Sequence, residues 1–295
     1  MARIVCVGEG MLELSRQDHG WQLGYGGDTL NTAIHLARAG HHVAFLTAVG
    51  ADPFSQEMKR RWAAEGLDIS LVLTHPDRQA GLYAISTDQE GERSFAYWRD
   101  TSAARDMFGL DAVDEAMAAA KQADLFYFSL ISLAILPPEG RRRLLELASL
   151  VQGNGGMVAF DGNYRPRLWR DPTEAGEARN AAVAVADIGL PTLADETAVS
   201  GETSADAVAR HWQVLGCGET AVKLGAAGCR LPDGRIVMPR QVLQPVDTSG
   251  AGDAFNAGYL SARLNGASIE DAAHAGHALA GWTIMRPGAI PPRDS

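Results

Sequence analysis

Cysteine is scarce in this chain: Cys6, Cys217 and Cys229 are the three in 295 residues. An odd number without metal-ligand spacing argues against a disulfide framework or a zinc site, and reads as reduced thiols in the cytoplasm. Positive charge is also short, with 26 Lys and Arg against 36 Asp and Glu and a formal net charge of −10. That balance argues against non-specific binding to nucleic acid or to an anionic membrane. An anionic ligand must then be held by a local basic cluster working against the overall field. No apolar run approaches the ~20 residues that a membrane span needs, and residues 1–7 read as a strand, too short for a signal segment. Internal repeats, low-complexity tracts and linkers are missing as well, so one domain over 1–295 is expected. The eight histidines have no metalloenzyme spacing. No Gly-x-x-x-x-Gly-Lys-Ser/Thr loop is present, and Gly8-Glu9-Gly10 fails as a dinucleotide fingerprint because Glu13 stands where a third glycine belongs.

What is present is an α/β rhythm. Short apolar runs at 4–8, 43–49, 125–130, 157–161, 188–190 and 220–224 read as strands. Helical patterns at 31–39, 53–64, 138–151, 174–185, 205–215 and 269–284 alternate with them, which predicts a mostly parallel sheet joined by crossover helices. Two stretches break the rhythm. Residues 12–25 carry no helix pattern, and 80–99 read as a hairpin turning at Asp88-Gln89-Glu90-Gly91. On its second arm, period two places Arg93, Phe95, Tyr97 and Arg99 on one face and Ala96 and Trp98 on the other. Such a face suits either a cover over a polar, anionic ligand or an edge hairpin whose arginines meet water.

The most informative run is Asp247-Thr248-Ser249-Gly250-Ala251-Gly252-Asp253. Its small residues permit a tight turn with unobstructed N–H groups, and a helical pattern follows through Leu264 to a stop at Asn265-Gly266. Gly250, Ala251 and Gly252 are thus placed at a helix N-terminus, which attracts anionic oxygens. Asp253, in the first turn, is a poor phosphate ligand but a suitable base for a hydroxyl attacking one. Taken alone, the stretch is equally an Asp-rich helix start with ordinary caps.

The run resembles the Asp-Thr-x-Gly-Ala-Gly-Asp signature of the ribokinase-like (PfkB) carbohydrate kinases, and Gly26-Gly27-Asp28-Thr29-Leu30-Asn31 resembles their N-terminal signature. Val7-Gly8-Glu9, residues 91–99, residues 129–136 and Asn163-Tyr164-Arg165-Pro166-Arg167-Leu168-Trp169 are similar to the branch acting on 2-keto-3-deoxygluconate. The resemblance implies a three-layer α/β/α domain with a mostly parallel central sheet and a small β-sheet lid built from about 12–25 and 80–100. It implies ATP-dependent phosphorylation of the 6-hydroxyl of that sugar acid, with Mg²⁺, in a homo-oligomer. Asp253 becomes the proton acceptor beside the Gly250–Ala251–Gly252 cradle. Gly27, Asp28, Asn31, Tyr83, Tyr97, Arg99 and Arg165 fall on the sugar side, Arg99 and Arg165 able to pair with a carboxylate through parallel hydrogen bonds. Asn163, Thr192, Lys223, Gly225 and Gly228 fall on the ATP side. Thr192-Leu193-Ala194-Asp195 departs from the family's Asn-x-x-Glu, which leaves the metal-organising residue open.

Overall fold

Five-residue runs that are apolar at nearly every position form the centre of the fold, because only a strand covered on both faces can bury such a run. The computed structural model describes residues 1–17, 20–87 and 93–293, so the expected turn at 88–91 lies outside the described residues. The chain opens with β1 (Arg3–Val7), then the paired strands β2 (Met11–Gln17) and β3 (Gly20–Gly26). It continues through α1 (Asp28–Arg38), β4 (His42–Gly50) and α2 (Pro53–Ala64). Asp52 caps α2 by accepting from the Ser55 N–H, and Pro53 takes the first helical position, where a missing N–H costs nothing. Next come the short strands β5 (Leu67–Asp68) and β6 (Val72–His75), then the arms β7 (Leu82–Thr87) and β8 (Arg93–Trp98).

The second half alternates more strictly. It runs α3 (Val113–Ala120), β9 (Leu125–Ser129), α4 (Leu130–Ile135), α5 (Pro138–Gly153), β10 (Met157–Asp161) and α6 (Pro172–Val183). Then follow β11 (Ile188–Gly189), α7 (Leu193–Ser200), α8 (Ala205–Leu215) and β12 (Glu219–Thr220). The antiparallel strands β13 (Val222–Lys223), β14 (Cys229–Arg230) and β15 (Ile236–Val237) precede the closing helices α9 (Ala251–Leu264) and α10 (Ile269–Ile284).

The central sheet runs β12-β11-β10-β9-β1-β4-β5, with β6 also paired to β4, and every pairing is parallel. Period two sorts its side chains into two cores. Val5, Val7, Phe126, Phe128 and Phe160 face Leu144 and Leu147 of α5 and Trp212 of α8. Ile4, Cys6, Leu125, Tyr127 and Ala159 face Leu30 and Ile34 of α1, Trp62 of α2 and Phe255 and Tyr259 of α9. The three-layer α/β/α expectation therefore holds, and Cys6 is a core residue whose burial raises its thiol pKa far above the ordinary value. No helix among the described residues is long and apolar enough to cross a membrane.

Two boundaries differ from the sequence reading. The run at 125–130 stops at Ser129 because Ser129 and Ser132 form a reciprocal capping box that starts α4. The run at 220–224 splits into β12 and β13. Pro191 has no N–H to extend the β11 ladder, although its carbonyl still accepts from the Lys223 N–H at 2.8 Å.

Apart from the main body stands a four-stranded sheet, ordered β3-β2-β7-β8. The β2–β3 and β7–β8 pairs are antiparallel, and β2 joins β7 in parallel. It occupies the two stretches that broke the α/β rhythm. Tyr83, Phe95 and Tyr97 stack along it, with centroids 5.9 and 6.3 Å apart, as the period-two reading of that face requires.

Candidate active site

Open α/β sheets bind ligands beyond the carboxyl ends of their strands, and the singled-out residues gather at that edge. Gly250 precedes α9 with φ 68°, a left-handed conformation that favours glycine, and a Cβ there would lie 2.6 Å from Ala289 Cβ. The Asp247 carboxylate accepts from the Ser249 N–H at 2.8 Å and the Gly288 N–H at 2.7 Å, so the turn is fixed from both sides. Around Gly252 there is room: beyond its own helix backbone and chain neighbours, Lys223 Nζ, at 3.8 Å, is the one atom among the described residues within 4 Å of a Cβ built on it. The structure thus provides backbone N–H groups at the start of a 14-residue helix with an ammonium beside them, a donor set suited to phosphate oxygens.

Asp253 is the third residue of α9 and 8% exposed. Its carboxylate accepts from Asn31 Nδ2 at 2.7 Å, and its carbonyl accepts from Thr32 Oγ1 at 3.2 Å. Burial, aided by the neighbouring Asp28 and Asp161 charges, pushes its pKa up to about 8, while Asn31 and Lys223 pull the other way. A carboxyl group that exchanges its proton near neutral pH is matched to general-base work.

Asn31 reaches Asp253 because α1 starts tightly against β1. At Gly27 a Cβ would overlap the Glu9 carbonyl oxygen, so glycine is required there. Asp28, next along, accepts from Asn163 Nδ2 at 3.0 Å, which joins a residue expected on the sugar side to one expected on the ATP side.

The remaining sugar-side residues are tied to protein partners. The Tyr83 hydroxyl donates to the Glu13 carboxylate, and its pKa is raised chiefly by burial, with Asp253 among the charges it senses. Tyr97 stacks on Tyr83, and the Arg99 guanidinium sits 6.0 Å from the Tyr97 ring. Arg99 itself is buried and donates to Glu9. Arg165 donates to the Tyr164 carbonyl at 2.7 Å, lies 3.6 Å from Asp195 and stays 52% exposed. Both arginines therefore already face a carboxylate. Neither was expected to, and Arg165 is the one with surface left to offer.

Lys223 ends β13 and is buried, donating to Asp161 Oδ1 at 3.0 Å and Asn256 Oδ1 at 2.9 Å. Thr192 lies alongside Lys223 at the N-terminal boundary of α7, with no capping bond from its side chain. Asp195, in the first turn, has its pKa raised mainly by burial and lowered by Arg165. Gly225 and Gly228 adopt φ 61° and 99° in the turn after β13, and a Cβ at 228 would overlap the Val237 carbonyl oxygen. Among the described residues no group of three or more His, Cys, Asp or Glu is placed to hold a metal ion.

Sequence reasoning missed Glu9, Glu13, Tyr127, Asp161 and Asn256. Two signals pointed to them. Asp161 ends an otherwise apolar buried strand, and Asn256 falls three residues after Asp253 on the buried side of α9.

Comparison with known proteins gives the arrangement its context. The model of the pfkB family carbohydrate kinases matches residues 1–295. This chain belongs to that family. A 2-dehydro-3-deoxygluconokinase of Escherichia coli K12 is 41% identical over 305 residues, covering 99% of this chain and 98% of the relative. The crystal structure of a PfkB protein from Polaromonas sp. JS666 superposes with a TM-score of 0.85 at 27% identity, covering 99% of this chain and 97% of that one. A putative ribokinase II of E. coli, crystallised with ATP and Mg²⁺, has the same fold at 22% identity, with a TM-score of 0.85 over 98% of this chain and 95% of that one. As a pfkB carbohydrate kinase, the protein transfers a phosphoryl group to a sugar hydroxyl.

Proposed function

We propose that this pfkB kinase uses ATP to phosphorylate the 6-hydroxyl of 2-keto-3-deoxygluconate, giving the 6-phosphate. The observation that carries the reading is the buried Asp253 carboxylate, held by Asn31 at the mouth of α9 with a pKa near 8. The relative named 2-dehydro-3-deoxygluconokinase supports the choice of acceptor.

In this reading Asp253 takes the hydroxyl proton as the oxygen attacks the γ-phosphorus and the bond to the bridging oxygen breaks, releasing ADP. The N–H groups of Gly250, Ala251 and Gly252 stabilise charge on the transferring phosphoryl group, with the Lys223 ammonium beside them. Asn163, Thr192, Gly225 and Gly228 line the nucleotide side. Mg²⁺, when bound, supplies charge neutralisation across the phosphates, and Thr192 and Asp195 are the residues that would hold it, through water. Gly27, Asp28 and Asn31 receive the sugar, Arg165 takes its carboxylate, and Arg99, paired with Glu9, adds positive charge on the sugar side. Tyr83 and Tyr97 come from the small sheet, which acts as a lid that excludes water from the phosphoryl donor.

We read residues 1–295 as one kinase unit. Buried free cysteines and the exposed Trp21, Phe95, Tyr97 and Trp98 of the small sheet support a cytoplasmic homo-oligomer. A coupled ADP-release screen across sugar acids and neutral sugars, with and without magnesium, tests the function. Magnesium-dependent turnover is expected with 2-keto-3-deoxygluconate and little with fructose or ribose. Preference for a neutral sugar overturns the choice of acceptor.

A further inference from the structure

Lys223, Asp161 and Asn256 make a closed buried triangle in which every member bonds to the other two. Besides the two bonds from Lys223 Nζ, Asn256 Nδ2 donates to Asp161 Oδ2 at 2.8 Å and to the Tyr127 hydroxyl at 3.0 Å. The members come from β13, β10 and α9, so the triangle ties the sheet's carboxyl edge to the helix whose first turn carries Asp253.

We propose that Asp161 and Asn256 are positioning residues for phosphoryl transfer, clamping Lys223 so that its ammonium stands beside Gly252 as the site's fixed cation. The inference rests on the kinase reading of Asp253 and adds to it two residues whose side-chain polar atoms are all bonded within the protein. An ammonium has three N–H donors, and two are committed to the triangle. The third remains for an anion at the cradle, where, outside its own helix, a Cβ on Gly252 would meet only Nζ among the described residues. Stability alone is a weak reason for the arrangement, since an apolar trio of similar volume joins three elements at no greater cost than a buried ion pair. A flexible lysine would have to be ordered during each turnover, whereas a clamped one is placed beforehand.

The charges reaching Asp253 come from every element around it. Asp28 and the hydrogen-bonding Asn31 lie on α1, Asp161 on β10 and Lys223 on β13. The Tyr83 and Tyr127 hydroxyls, on β7 and β9, also sense Asp253. Asp161 raises the Asp253 pKa and Lys223 lowers it. Removing one or the other must move the acid limb of a rate profile in opposite directions.

The test uses the full-length enzyme, ATP, magnesium and 2-keto-3-deoxygluconate, with steady-state rates measured across pH. Lys223→Met should lose about 10²-fold or more in kcat, with sugar KM within a few-fold and the acid limb of kcat/KM displaced upward. Asp161→Asn should displace that limb downward. Asn256→Ala should lose about 10- to 100-fold in kcat through misplacement, and adding it to Lys223→Met should cost little more because it acts through the lysine. Independent, multiplicative losses overturn the proposal, as does Asn256→Ala with wild-type kcat, or limbs that move together. If Asn256→Ala does not fold, Asn256→Ser paired with Lys223→Met decides the matter: non-additive kcat losses support the clamp, and multiplicative ones overturn it. Asp253→Asn run alongside separates the two levels. Normal turnover there sinks the kinase reading, whereas a crippled Asp253→Asn beside normal Lys223→Met and Asn256→Ala sinks this inference alone.

Discussion

The two larger sheets of this molecule use aromatic side chains in opposite ways. In the central sheet Phe126, Phe128 and Phe160 form a chain that ends on Trp212, with centroids 5.1 to 5.9 Å apart, and all four are buried. In the small sheet Phe95, Tyr97 and Trp98 are exposed, Trp98 by 61%. The first sheet is a rigid floor, and Asp161, at the carboxyl end of its β10, inherits that rigidity and holds Lys223 of β13. The second sheet has few partners to hold it, the condition under which a region opens at low free-energy cost. In the proposed reading, precision for chemistry comes from the floor, while adaptability to a ligand comes from the aromatic sheet.

The comparison breaks first at its largest expected effect. Phe160→Ala should cost about 3–5 kcal/mol of stability, read by urea denaturation, whereas Trp98→Ala should stay within about 0.5 kcal/mol. Equal losses would erase the distinction between floor and aromatic sheet.

Asp253, on α9, shows what burying a carboxyl group costs. Its folded pKa of about 8 lies above the ordinary value near 4 for an aspartate. Below about pH 4 both folded and unfolded chains carry the proton, and the group is neutral to stability. As pH climbs toward 8 the unfolded chain releases it first, so folding loses free energy. Asp253→Asn should therefore raise Tm at pH 8, by up to a few kcal/mol equivalent, and the gain should vanish near pH 4. A variant less stable than wild type at pH 8 would contradict this.

On the recognition side a smaller effect is expected. Arg165→Ala should raise KM for the sugar acid by about 10- to 100-fold, the loss of a charge-assisted pair, with kcat nearly unchanged. Unchanged KM would return Arg165 to its Asp195 partner alone.

Much of this was legible in the chain itself. The strands β1, β4, β9 and β10 declare themselves because a strand buried on both faces must be apolar throughout. Asp253 and Asn31 are legible because their glycine-rich surroundings mark close backbone approaches, at Gly27 and Gly250 above all. The rest depends on partners far apart in sequence. Lys223 meets Asp161 and Asn256 across 62 and 33 residues, and Arg99 meets Glu9 across 90. No local pattern announces such pairs. The apolar run through β9 into α4 also hides a strand-to-helix change that only the Ser129–Ser132 cap reveals.

The most direct test of the central claim is the pH dependence of kcat/KM for 2-keto-3-deoxygluconate, with wild type and Asp253→Asn measured side by side. The account predicts that wild-type activity rises through an inflection near pH 8, where Asp253 loses its proton. It also predicts a variant slower by about 10²–10⁴-fold that lacks this limb. A variant that keeps wild-type turnover and the same limb would show that another group accepts the proton.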